Sequence, residues 1–272
     1  MKKNIKLVSI LIINYNNAKY LERAIKSCLN QTYKNIEILI FDDKSEDNSR
    51  EKILKYKLKK NIKYYFNKKS KKNIPALDAF NGYDHLFKKS KGKIISLLDS
   101  DDFFKKDKIA RIVKLFDFKK DLLFVQNLPI EINKHYSKKK KNKNHFISYW
   151  PYLAPESCIS FKREFYKEFT KVNFKYKNIF QNVWLGFRLG VFSYFVKKNF
   201  YCLNEHLTFY EALGQSGLYK KFNSLWFYRR LQSFNYIYNI SKKNIIHKLN
   251  IDYILTLILS FITNIFNNKK NA

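Results

Sequence analysis

Cysteine is scarce. Cys28, Cys158 and Cys202 are the three in 272 residues. They lie far apart, with no CxxC and no neighbouring histidine pattern, which argues against a disulfide framework or a zinc site and suits a reducing cytoplasm. Glycine is scarce too, six residues, and no GxGxxG follows the first apolar run, so the usual dinucleotide-binding fingerprint is missing. No stretch reaches the roughly 18 apolar residues that span a bilayer. Met1 to Lys6 lead directly into a strand, without the apolar core of a signal peptide, so a cytoplasmic chain is expected. Acidic residues number 22 against 54 Lys and Arg, a formal net charge of +32. Such an excess suits anionic partners: nucleic acid, a membrane surface or phosphorylated substrates. Lys, Asn, Ile, Phe and Tyr are abundant together, however, as in AT-rich coding sequence, and no nucleic-acid motif accompanies the charge. Nucleic acid is not expected as a partner.

Apolar residues make up 46% of the chain, ample for a packed core. Ile94 to Leu98 read as a short strand buried on both faces, and it ends abruptly in Asp99-Ser100-Asp101-Asp102. In open α/β sheets ligands gather at the carboxyl ends of such strands. Asp99 and Asp101 lie two apart, so in extended backbone both side chains point to one side. Two converging carboxylates invite a hard divalent cation. The competing reading is an acidic loop at the start of a helix expected from Lys105 onward, where the helix dipole alone favours carboxylates. The string by itself leaves both open.

Upstream, Leu7 to Ile13 form a second apolar run closed by Asn14-Tyr15-Asn16-Asn17, where Asn16 or Asn17 is placed to cap the next helix. Tyr20, Leu21, Ala24, Ile25, Cys28 and Leu29 give that helix an apolar stripe. Ile36 to Phe41 form the next strand, also ending in carboxylates from Asp42 to Asp47. This β-α-β start predicts a doubly wound sheet.

Val8-Ser9-Ile10-Leu11-Ile12-Ile13-Asn14-Tyr15-Asn16, Asn30-Gln31-Thr32-Tyr33, Asp42-Asp43-Lys44-Ser45-Glu46-Asp47-Asn48-Ser49 and Leu98-Asp99-Ser100-Asp101-Asp102 occur in the order and spacing of the family 2 inverting glycosyltransferases. The chain resembles that family over residues 7 to about 125, and more loosely beyond. The resemblance implies an α/β GT-A fold, a doubly wound mixed sheet, and a nucleotide-sugar donor, UDP-linked. It places Asn14 and Tyr15 in the donor site, Tyr15 near the base. Asp43 would accept from a uracil-type ring nitrogen, Asp99 would lie by the ribose, and Asp101 would bind Mg²⁺ or Mn²⁺ bridging the diphosphate. A held cation neutralises a departing pyrophosphate, as the chemistry requires. Where family members often carry Arg-Asn, this chain has Phe80-Asn81.

Farther on, a basic helix is expected over about Lys52 to Lys60, then a strand at Ile62 to Phe66. A helix should run from Pro75 to about Ser90, ended by Lys91-Gly92. Leu122 to Val125 read as a strand. Residues 133–145 form a Lys-Asn-His tract, a surface loop or a lid, with His135 and His145 solvated. Trp150 and Tyr152 suit either an acceptor sugar face or the core. Gln181-Asn182-Val183-Trp184-Leu185-Gly186-Phe187-Arg188 resembles the family's Glu-Asp-x-x-Leu-x-x-Arg. Its Asp is the proposed general base, but an amide, Asn182, stands there. An amide accepts no proton, and a lost base costs about 10²–10⁴ in rate. Either Glu156 or Glu205 substitutes, or the acceptor is activated differently, or activity has decayed. Helices are expected from Leu218 to Ile240 and from Ile251 to Phe266. The last has a narrow polar stripe of Asp252, Thr256, Ser260 and Thr263-Asn264, and suits either packing or an anionic inner membrane surface, with Lys248, Lys269 and Lys270 at its ends.

These readings predict a GT-A domain over residues 1–205 and a helical C-terminal extension over 206–272. The function expected is inverting transfer of a sugar to a bacterial surface polysaccharide or lipooligosaccharide, free or lipid-linked, in the cytoplasm or at the inner membrane face. The rival is a non-catalytic nucleotide-sugar-binding or membrane-docking subunit that has lost its base.

Overall fold

The computed structural model describes residues 6–68, 73–132, 151–211, 223–241 and 250–268. The Lys-Asn-His tract, Trp150, Lys248, Lys269 and Lys270 lie outside them. Strands β1 (Val8–Asn14), β2 (Ile36–Asp42) and β3 (Ile62–Phe66) alternate with helices α1 (Ala18–Leu29) and α2 (Ser49–Leu54). Helix α3 (Pro75–Lys89) leads to β4 (Ile94–Asp99), and β5 (Phe103–Phe104) to α4 (Lys108–Phe118) and β6 (Phe124–Glu131). A 3₁₀ turn at Glu156–Cys158 opens β7 (Ile159–Lys162), followed by α5 (Arg163–Asn173), α6 (Leu185–Val191), β8 (Phe200–Tyr210), α7 (Ser224–Ile240) and α8 (Ile251–Asn268).

The eight strands form one mixed sheet in the order β3-β2-β1-β4-β7-β6-β8-β5. Its first four strands are parallel, and β7 enters antiparallel to both β4 and β6. Alternation along the parallel strands explains why they read as mainly apolar runs. Ile10, Ile12, Ile38, Ile40 and Leu98 pack with α1 and α4 on one face. Leu11, Leu39, Ile95 and Leu97 pack with α3, α5, α6 and α7 on the other. Both faces are covered, so both alternate positions are mainly apolar, with Ser9, Glu37 and Ser96 as buried polar exceptions.

Several local expectations change. The basic helix is only Ser49–Leu54; beyond it the lysine-rich run offers too little apolar surface to hold a longer one. The helix after the acidic loop starts at Lys108, with Asp107 and not Asp99 or Asp101 at its N-cap position and no side-chain cap bond. Neither Asn16 nor Asn17 caps α1. Asp47 Oδ2 instead accepts from Ala18 N at 2.8 Å across the β1–β2 crevice. Gly92 is not a left-handed helix terminator, since among the described residues no glycine has positive φ. A Cβ there would lie 2.5 Å from Ser9 N, so only glycine lets this loop cross β1. The sheet runs to Tyr210, past the boundary expected at 205, and α7 adds Phe234, Tyr236 and Ile237 to the main core.

Candidate active site

The parallel strands deliver their polar ends to one side. Asn14 Nδ2 donates to Asp42 Oδ1 at 2.7 Å and Ser45 Oγ at 3.1 Å. Ser45 Oγ in turn accepts from Asn16 N at 2.9 Å. Asn14 is 2% exposed; its amide thus fastens the β1 and β2 loops to each other. Beside this clamp, Tyr15 and Asp43 line a cavity of about 630 Å³. Asp43 Oδ1 accepts from Asn67 Nδ2 at 2.5 Å, which fixes the carboxylate.

Asp99 and Asp101 line the same cavity, by a different route from the one the spacing suggests. The strand stops at Asp99, and the chain turns, with Asp102 N donating to Asp99 O at 3.0 Å. Asp99 accepts from Tyr83 OH at 2.8 Å, and its amide donates to Ser157 Oγ at 2.9 Å. Arg23 donates to Asp101 O at 2.7 Å and to Glu211 Oε2 at 2.6 Å. Asp102 accepts from Glu211 N at 2.9 Å. Gln31, buried at the end of α1, donates to Lys105 O and accepts from Ile109 N, which locks the acidic turn to α1 and α4. Beneath it the buried Lys108 donates to Ser157 O and Thr208 Oγ1.

These carboxylates lie where ionisation is costly. Burial, then the charges of Glu156, Asp102 and Asp101, push Asp99 well above the usual carboxylate range. Burial raises Asp101, and burial with the charge of Asp101 lifts Asp102 to about 7. A crowd of oxygen donors that repel one another is a donor set suited to a hard cation. Among the described residues no three His, Cys, Asp or Glu side chains are arranged to hold a metal alone. A cation at this turn would need oxygens from a bound ligand to complete its coordination, as Mg²⁺ takes them from phosphates.

Glu156 also lines the cavity, close enough to Asp99 for its charge to act there. Its Oε1 accepts from Gly186 N at 2.6 Å at the start of α6, and burial raises the carboxyl to about 7. Glycine is required there: a Cβ on Gly186 would come within 2.6 Å of Glu156 Cγ. Asn182 and Glu205 are not brought in. Asn182 precedes α6, outside the cavity lining, and its backbone N donates to Gln232 Oε1 at 3.0 Å. Glu205 lies on β8 and pairs with Arg111 at 2.9 Å. Phe80 is core, 2% exposed, while the cavity takes Asp78, Ala79 and Gly82 from α3.

Trp184, Phe187, Leu153, Tyr210 and Arg229 also line the cavity. Sequence reasoning missed Arg23 and Glu211, which carry no local motif. Trp184 and Arg229 stood within stretches already singled out, and their facing toward the cavity was not evident. Tyr152 lies outside the lining; its carbonyl accepts from Gln126 Nε2.

Glycosyl transferase family 2 matches residues 9–203. An uncharacterized glycosyltransferase of Nostoc sp. is 42% identical over 111 residues, 40% of this chain and 32% of that protein. The Escherichia coli UDP-Glc:alpha-D-GlcNAc-diphosphoundecaprenol beta-1,3-glucosyltransferase WfaP is 35% identical over 125 residues, 46% of this chain and 47% of that protein. The matched segment thus spans less than half the length of either relative. Among solved structures, S. aureus TarS 1-349 in complex with UDP-GlcNAc superposes with a TM-score of 0.64 at 14% identity, over 92% of this chain and 72% of that one. The mannosyltransferase PcManGT from Pyrobaculum calidifontis, in complex with GDP-Man and Mn2+, gives 0.59 at 13%, over 94% and 73%. At such identities the likeness establishes the GT-A fold.

Proposed function

The chain belongs to glycosyl transferase family 2, and from that premise we propose that it moves a sugar, with inversion, from a UDP-sugar to a surface-glycan acceptor on a lipid carrier. One observation carries the reading: Tyr15, Asp43, Asp99, Asp101 and Glu156, from four separate segments, line a single cavity. Asp43 is held by Asn67 where it lines the cavity, and a fixed carboxylate there suits recognition of a base edge. WfaP, named for a UDP-Glc donor and a diphosphoundecaprenol-linked acceptor, and TarS, seen with UDP-GlcNAc, support these substrate classes. A cytoplasmic site at the inner membrane face follows from such an acceptor.

Asp101 would hold Mg²⁺ or Mn²⁺, and the ion would supply charge neutralisation for the departing diphosphate. Glu156 is the base of this chain. Its carboxylate takes the proton of the acceptor hydroxyl as that oxygen bonds to the anomeric carbon. The bond from that carbon to the diphosphate oxygen breaks on the opposite face, and the nucleoside diphosphate leaves. Glu156 returns its proton to solvent. A carboxyl titrating near 7 suits this task, because a base works best with a pKa near the operating pH. The amide pair Gln181-Asn182 favours the rival reading, a donor-binding subunit without catalysis.

Thermal unfolding with UDP and GDP, each with and without Mn²⁺, tests the donor site. UDP with Mn²⁺ at a hundredfold excess over Kd should stabilise by about 2.7 kcal/mol. Equal response to both nucleotides removes the Asp43 argument. Release of UDP from UDP-sugars on adding lipid-linked acceptor separates enzyme from binding subunit.

A further inference from the structure

Helix α8 is amphipathic in the inverted sense. Its polar row, Asp252, Thr256 and Ser260, faces inward: Thr256 is 2% exposed and Ser260 6%. Arg230 of α7 pairs with Asp252 and donates to Thr256 Oγ1 at 3.2 Å. Tyr253 packs edge-on against Phe234 of α7. The apolar residues are left outside, with Ile251, Leu255, Ile258 and Phe261 between 50% and 69% exposed. A water-facing helix presents the opposite arrangement, and an apolar surface of this extent marks an interaction site.

We infer that this face of α8 lies in the headgroup region of an anionic lipid bilayer. The helix is about 27 Å long at 1.5 Å per residue. Among the described residues no helix is long and apolar enough to cross a membrane, and the Arg230 bonds fasten α8 to α7, an arrangement that suits a helix lying in the headgroup plane. Charge selects the occupant. The one acid in the described α8 side chains, Asp252, is turned inward and paired. The sequence flanks the helix with Lys242, Lys243 and Lys248 on one side and Lys269 and Lys270 on the other. An anionic surface attracts such lysines. A second copy would set one +32 chain against another, which opposes self-association. Docking stands apart from glycosyl transfer; its consequence for the acceptor rests on that reading. Arg229 lines the cavity and Arg230 holds α8, so one turn of α7 connects the site to the bilayer plane, where a lipid-linked acceptor resides.

The test is flotation of the full chain with vesicles of phosphatidylethanolamine and phosphatidylglycerol, against phosphatidylcholine alone, with sedimentation in parallel. The expected result is a monomer that floats with the anionic vesicles at least about tenfold more than with neutral ones, and is released by salt. Ile258→Glu/Phe261→Glu and the uncharged Ile258→Ser/Phe261→Ser should each lose about tenfold or more in binding with unchanged melting temperature, while Ile258→Leu/Phe261→Leu keeps it. No flotation of the wild type, equal flotation of the variants, or a dimer that the Glu variant splits would each overturn the inference. Donor binding by the same samples shows that a failure here is not a failure of the donor site.

Discussion

Replacing Glu156 with glutamine should slow glycosyl transfer and at the same time stabilise the ligand-free protein. The amide keeps an oxygen to accept from Gly186 N, 2.6 Å away in the wild type, so the wall of the cavity is retained while the proton acceptor is lost. The rate should fall about 10²–10⁴-fold, the range of a positioned base. The stability sign follows from linkage. A carboxyl that titrates at about 7 folded and 4.5 unfolded binds its proton more tightly in the native state. Its contribution is fully present below pH 4.5 and is lost as pH rises through 7, by about 3 kcal/mol at pH 8. Glutamine carries no such loss, so Glu156→Gln should be the more stable protein at pH 8, with the difference vanishing near pH 4. Urea denaturation across pH gives the stability profile, and UDP release in the presence of acceptor gives the rate. The wild-type rate should climb with pH through 7. A variant within a few-fold of wild-type rate, or one less stable at pH 8, would refute the assignment of Glu156.

Asp101→Ala should abolish Mn²⁺-dependent UDP binding, measured by calorimetry, and leave the fold intact, since burial already raises that carboxyl. Gly186→Ala should cost about 1–3 kcal/mol by overpacking against Glu156 and reduce the rate together with stability, as read by melting and turnover. Asn182→Asp restores the family residue, but outside the cavity lining; its rate should change less than about tenfold, well short of a general base. A gain of a hundredfold would return the base to position 182.

The parallel half of the sheet was legible because it is covered on both faces, and Ile10 to Ile13 or Ile94 to Leu98, apolar but for Ser96, show this. The lysine run after Leu54 was misread because helix propensity without an apolar stripe has nothing to pack. For Asp99 and Asp101 the spacing argument assumed extended backbone, and the turn closed by Asp102 N still brings both to the cavity. Glu156 and Glu205 were equivalent candidates in one dimension. Tertiary structure separates them, one buried in the cavity wall and the other paired with Arg111 at the surface. The polar row of α8 was evident from its i+4 spacing. Its inward direction was not, because periodicity locates a stripe without saying which side the core occupies.

The motif around Asn182 shows how a family signature divides into structural and chemical parts. Arg188 is 1% exposed and spends its guanidinium on backbone carbonyls of Val183, Tyr176, Lys177 and Phe180, and on Asn173 Oδ1. It folds the loop ahead of α6 and touches neither Gln181 nor Asn182 through those bonds. Its retention is therefore explained by the loop alone and carries no information on catalysis. The same loop sets Leu185 and Gly186 so that their amides meet Glu156, a carboxylate from the 3₁₀ turn ahead of β7. A helix start with free N–H groups holds an anion wherever in the chain that anion originates. The architecture kept by Arg188 thus supports a base supplied from another segment, and the amides at 181–182 do not by themselves mark an inactive protein.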